Sequence, residues 1–161
     1  MQISVIKKRF LLAGFETAMA FGEGFEQEME RIRSELKRSL DRIGNKVEPV
    51  RPIGFCRPWL SCVIAFDPVY VTKTKTQYFF GVEVSSLDDI PSDCVVKAVP
   101  ESCYAVCRDQ RRGTGPKADM FAVPGYDPRH ELAGDLEIFD DTDHIGKADA
   151  CDLLVPVKSK E

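Results

Sequence analysis

The feature that most constrains the fold is a single apolar stripe between residues 25 and 43. Phe25, Met29, Ile32, Leu36, Leu40 and Ile43 recur at spacings of four and three. That period puts them on one face of a helix, and the face must be buried against another layer. Gly22 and Gly24 loosen the chain before the helix, and Gly44-Asn45 ends it. The opposite face carries Glu26, Glu28, Glu30, Arg31, Arg33, Glu35, Lys37 and Arg38, and reads as a solvated surface with local ion pairs.

Around this helix the patterning is that of strands. A first strand is predicted over residues 2–15, with a bulge near Lys8-Arg9. Extended segments follow at 53–57, 60–66 and 77–84, interrupted by Pro49, Pro52, Pro58 and Pro68. Residues 88–93 form an acidic linker. Beyond it lie a long strand at 95–108, a polar loop at 109–116 and a short helix within 117–123. Pro124-Gly125 marks a turn, and strands at 135–139 and 152–158 close the chain.

The order strand, helix, strand, strand thus occurs twice. We expect one α+β domain spanning residues 1–161. Its duplicated strand-helix-strand-strand units, at 1–87 and 94–158, would form an antiparallel sheet with two helices and a groove between the halves. The length suits a single ordinary domain.

Charge narrows the partners. The chain holds 22 Lys+Arg against 26 Asp+Glu, a net charge of -4. A phosphate-binding surface is usually basic, so direct nucleic-acid binding is not expected. No apolar run reaches the about 18 residues that span a bilayer. Lys7, Lys8 and Arg9 precede an apolar stretch too short for a signal peptide, so a cytoplasmic location is expected. The six cysteines form no Cys-x-x-Cys pair, and only His130 and His144 could join them. They read as reduced thiols rather than zinc ligands, and no cofactor is expected.

One residue breaks its surroundings. Glu83 is the only charge in Tyr78-Phe79-Phe80-Gly81-Val82-Glu83-Val84, a run that reads as a buried strand. A carboxylate there needs a partner or a ligand, and desolvation would raise its pKa. That suits a general acid/base or the counter-charge for a cationic guest. Phe79 and Gly81 share its face, and the glycine would leave room for a ligand.

Taken together, these pieces resemble the GyrI-like family, the effector-binding domain of AraC-type regulators in bacteria. The resemblance is carried by Val5-Ile6-Lys7 with Ala13-Gly14-Phe15, by the helix from Phe25, and by Pro52-Ile53-Gly54-Phe55. It continues through 78–84, Val95-Val96-Lys97, Tyr104-Ala105-Val106, 135–140 and 152–158. It implies a ligand groove between two repeats, with a third-strand glutamate pointing into it at Glu83. It also implies binding of lipophilic cations in some relatives, hydrolysis of cyclopropane-bearing DNA alkylators in others, and modulation of DNA gyrase in one branch. Two departures stand out. The second helix region is short and holds Pro116 and Pro124, and residues 57–76 form a long connection with Trp59.

The leading expectation is a stand-alone domain that binds amphipathic or cationic aromatic small molecules. Glu83 would select charge, and Trp59, Phe55, Phe79, Tyr104, Phe121 and Phe139 would line the groove. The alternative is a cofactor-independent hydrolase in which Glu83 activates water and Tyr104 orients it. A third reading is a protein-partner role such as gyrase modulation, which the net acidity permits. The Arg108, Arg111, Arg112 and Lys117 cluster lacks phosphate-loop spacing and reads as a solvated loop, and the acidic stretch 131–143 reads as surface.

Overall fold

The helical stripe covers a sheet that closes on itself. The computed structural model describes residues 3–19, 24–56, 76–111, 125–128, 136–145 and 150–160. Helix α1 (Phe25–Ser39) runs into a 3-10 turn at Leu40–Arg42. Acidic residues in its first turn and basic ones in its last complement the helix dipole. Met29, Ile32, Leu36 and Ile43 are buried, as their spacing requires.

Among the described residues seven strands are present. They are β1 (Ile3–Met19), β2 (Pro52–Cys56), β3 (Thr76–Glu83), β4 (Val95–Arg111), β5 (Tyr126–Pro128), β6 (Leu136–Ile138) and β7 (Ala150–Ser159). Every pairing is antiparallel, in the order β4-β1-β3-β2-β6-β7-β5, with β4 also pairing with β7. Single residues show how the ring shuts. Leu12 pairs with Glu83 on one edge and Lys97 on the other. Gly81 pairs with Gly14 and Ile53, Leu136 with Phe55 and Leu154, and Val106 with Leu154 and Ser4. Strand β5 alone stays outside the ring, laid along the end of β7. Closure pairs the edges that an open sheet would expose.

Alternation then sorts side chains between two cores. Ala13, Phe80 and Val82 face outward and pack with Met29, Ile32 and Leu36 of α1. Phe10, Leu12, Phe79, Tyr104, Leu136 and Leu154 form the second cluster, which contains no helix residue and fills the inside of the ring. Phe79 and Phe80 are chain neighbours in different cores.

A register shift falls at the expected place, Lys8-Arg9, but the bulge is on the partner strand. Between Lys8 and Phe10 strand β1 advances two residues, while β4 steps three, from Ser102 to Val99. The extra residue lies on β4, where Pro100 could not have donated to a regular ladder.

The fold is α+β and rich in sheet, with one α-helix among the described residues. Several boundaries move. Strand β4 continues to Arg111, into the segment read as a loop, and β5 was not foreseen. Three residues ending in proline are too few to show a period. The expected strand at 60–66 and helix within 117–123 lie outside the described residues. No helix among the described residues is long and apolar enough to cross a membrane.

One assignment on α1 needs correcting. Arg33 is buried rather than solvated. Its Nε donates to the Ile145 carbonyl at 2.6 Å, and Nη1 donates to Glu26 and Glu30 at 2.8 and 3.0 Å. Position 33 follows Met29 by four and precedes Leu36 by three, so it borders the apolar stripe.

Candidate functional site

Glu83 ends β3, opposite Leu12, and so shares the inner face with Leu12 and Phe79. Its side chain is 19% exposed, which places it at the margin of the inner core. It is not bare. Lys8 Nζ donates to Glu83 Oε1 at 2.9 Å, linking residues 75 apart in sequence. The same ammonium sits 4.9 Å from the centroid of the Phe10 ring. Lys8, Phe10 and Leu12 alternate along the inner face of β1, and the bulge on β4 falls opposite the first two. The premise of an isolated carboxylate in apolar surroundings is therefore replaced by an ion pair backed by an aromatic ring.

A second pair flanks the same row. Lys97, opposite Leu12, reaches Glu16 at 3.1 Å, and Glu16 lies opposite Phe79. Two cations and two carboxylates thus border the inner core, and their charges cancel.

Tyr104 is fully buried inside the ring, edge-on to Phe10 with centroids 5.7 Å apart. Its hydroxyl has no hydrogen-bond partner among the described residues. Burial pushes its pKa above the ordinary phenol value, and Ser102 draws it back in part. The Ser102 hydroxyl donates to the Pro100 carbonyl at 3.2 Å and makes no hydrogen bond to the Tyr104 oxygen. An unpaired buried hydroxyl is uncommon and calls for an explanation.

The expected space beside Gly81 is taken. A Cβ there would stand 2.6 Å from Phe79 Cζ and 2.3 Å from the Ala13 carbonyl oxygen. The glycine admits protein, not a guest.

Glu83, Phe79 and Tyr104 thus share the inside of the ring. Phe139 does not, because it packs in the outer core with Phe80 and α1. Phe55 lies on β2, with only its backbone described, and Trp59 and Phe121 lie outside the described residues. Lys8, Phe10 and the Lys97–Glu16 pair were missed from the sequence. Alternation along β1 gives the first two away, because β1 itself runs without an extra residue from Lys8 to Leu12.

Elsewhere, a cavity of about 190 Å³ opens on the outer side between Leu40, Val50, Pro52 and Val82, with Asp140, Asp141 and Thr142 at its rim. Its carboxylates are engaged, Asp140 by Arg51 and Asp141 by His144. Buried Asp152 accepts from Arg51 at 2.8 Å and from Arg108 at 3.3 Å, so Arg108 belongs to an ion cluster on the sheet. Among the described residues no group of His, Cys, Asp and Glu is arranged to hold a metal.

A closed antiparallel ring with one face under a helix and a charged margin inside defines the α+β fold of this chain. No protein-family model and no curated relative matches the chain. Solved structures do. SAV2435 bound to tetraphenylphosphonium aligns with a TM-score of 0.59 at 17% identity, over 98% of this chain and 94% of that one. The EcmrR C-terminal domain aligns with a TM-score of 0.61 at 11% identity, over 98% of each chain. A transcription-regulation protein from Staphylococcus aureus aligns with a TM-score of 0.52 at 17% identity, over 99% of each. The chain has the fold of GyrI-like effector-binding domains.

Proposed function

We propose that this protein binds amphipathic, cationic aromatic small molecules at the margin of the inner core, with Glu83 as the counter-charge. The observation that carries this reading is the position of Glu83. It is a partly exposed carboxylate on the inner face, already holding one cation that itself sits over the Phe10 ring. Apolar and aromatic walls supply affinity, and the carboxylate supplies selection by charge. SAV2435, which shares the fold, was solved with a lipophilic cation bound.

The pairing map supports the duplicated-unit reading. Strand β1 pairs with β4 at the centre, β3 and β7 flank them, and β2 meets β6 where the ring shuts. Exchanging the two halves leaves that pattern unchanged, as a pseudo-two-fold axis requires.

Titration with tetraphenylphosphonium and with neutral triphenylphosphine oxide tests the proposal. Glu83→Gln weakens the cation about tenfold or more and leaves the neutral compound nearly unaffected. Equal effects on both probes would rule out charge selection.

One observation favours a second reading, hydrolysis of cyclopropane-bearing compounds. The unpaired Tyr104 hydroxyl shares the inner face with Glu83 and would orient a water whose proton passes to Glu83 as its oxygen bonds the ring carbon; the strained C–C bond breaks and its released electron pair takes a proton back. Incubation with a cyclopropane-bearing alkylator, followed by mass spectrometry, decides it. Turnover that survives Glu83→Gln unchanged eliminates this mechanism.

A further inference from the structure

We infer that Lys8 sets the specificity of this site: it is a tethered cation that occupies Glu83 until a guest with a better-buried charge replaces it. The inference rests on the proposed role of Glu83 as counter-charge. A lipophilic cation needs two things here, a carboxylate and an aromatic face. Lys8 already uses both, at 2.9 Å from Glu83 and 4.9 Å from the Phe10 centroid. Its side chain is 40% exposed, so release returns the ammonium to water it already touches.

Exchanging one cation for another keeps Glu83 paired throughout, which avoids the penalty of stranding a charge. The competition then turns on hydration and apolar area. An ammonium is a compact, strongly hydrated charge. A small amine resembles Lys8 and lacks the advantage of the tether, so Lys8 excludes it. A bulky cation with its charge spread beneath aromatic groups gives up less hydration and buries more apolar surface. The ligand class is therefore bulky, delocalised cations, and simple amines are rejected.

The test uses the full chain, calorimetric titration and two probes, tetraphenylphosphonium and triphenylphosphine oxide. Lys8→Met removes the competitor and keeps an apolar stem. It tightens the cation up to about fivefold, the order expected for freeing a partly exposed ion pair. Lys8→Arg keeps a tethered charge and stays within about twofold of wild type. The neutral probe binds all three alike. Equal cation affinity in wild type and Lys8→Met overturns the inference while leaving the Glu83 proposal intact. Neutral binding with no cation binding in any variant overturns both, and binding of neither probe removes the site itself. Lys8→Gln repeats the test if Lys8→Met proves unstable.

Discussion

Gly14 and Gly81 face each other across β1 and β3, each where no other residue fits. A Cβ on Gly14 would stand 2.2 Å from the Phe80 carbonyl oxygen, and one on Gly81 would stand 2.3 Å from that of Ala13. The two strands pass so closely because neither carries a side chain at this pair. The contact lies two residues from Glu83, so it also fixes where the carboxylate sits.

Gly81→Ala therefore costs about 1–3 kcal/mol, at the upper end of that range because the clash is with backbone. Thermal denaturation should show a loss of roughly 5–10 °C. Gly54→Ala is the control. Its Cβ would meet the Phe80 ring at 2.9 Å, and a ring edge can yield where backbone cannot. A smaller loss at Gly81 than at Gly54 would contradict the packing argument.

Tyr104→Phe should leave stability unchanged or raise it by up to about 1 kcal/mol, because it removes a buried hydroxyl without a partner. The pH dependence is distinctive. The folded pKa is raised by burial, so above about pH 10 the unfolded chain loses the proton first. Stability falls with rising pH there, and Tyr104→Phe should flatten that part of the curve. Identical denaturation profiles from pH 9 to 11 for both proteins would refute the assignment.

Arg33→Met strips the Ile145 carbonyl of its donor and unties Glu26 and Glu30. The expected loss is about 1–3 kcal/mol in chemical denaturation. Arg33→Lys should not rescue it, since one ammonium cannot reproduce the fork of the guanidinium. Full rescue by lysine would show that only the charge matters.

Asp141 accepts from the backbone N–H groups of Asp143 and His144 and lies 2.6 Å from the His144 ring nitrogen. The His144 hydrogen bond, aided by the backbone donors, holds its carboxyl below the usual aspartate value. Its contribution is present above about pH 4 and lost as pH falls through the lowered folded pKa. Carboxyl NMR titration should place the Asp141 midpoint below that of an unstructured aspartate. A midpoint at or above it would discount the cap.

The sequence alone determined the elements with strong periods. The stripe on α1, the strand 77–84 and the long strand from Val95 were all legible, because each repeats a local rule over many residues. It also singled out Glu83, since one carboxylate in an apolar strand is conspicuous. The tertiary structure decided what Glu83 touches. Lys8 lies 75 residues away and reads locally as one of three consecutive basic residues. Phe79 and Phe139 look alike in sequence, yet one faces the inside of the ring and the other lies under α1. Local periodicity specifies which face of a strand a residue occupies. Only ring closure and the docking of the helix determine what that face meets, because both depend on pairings between residues far apart in the chain.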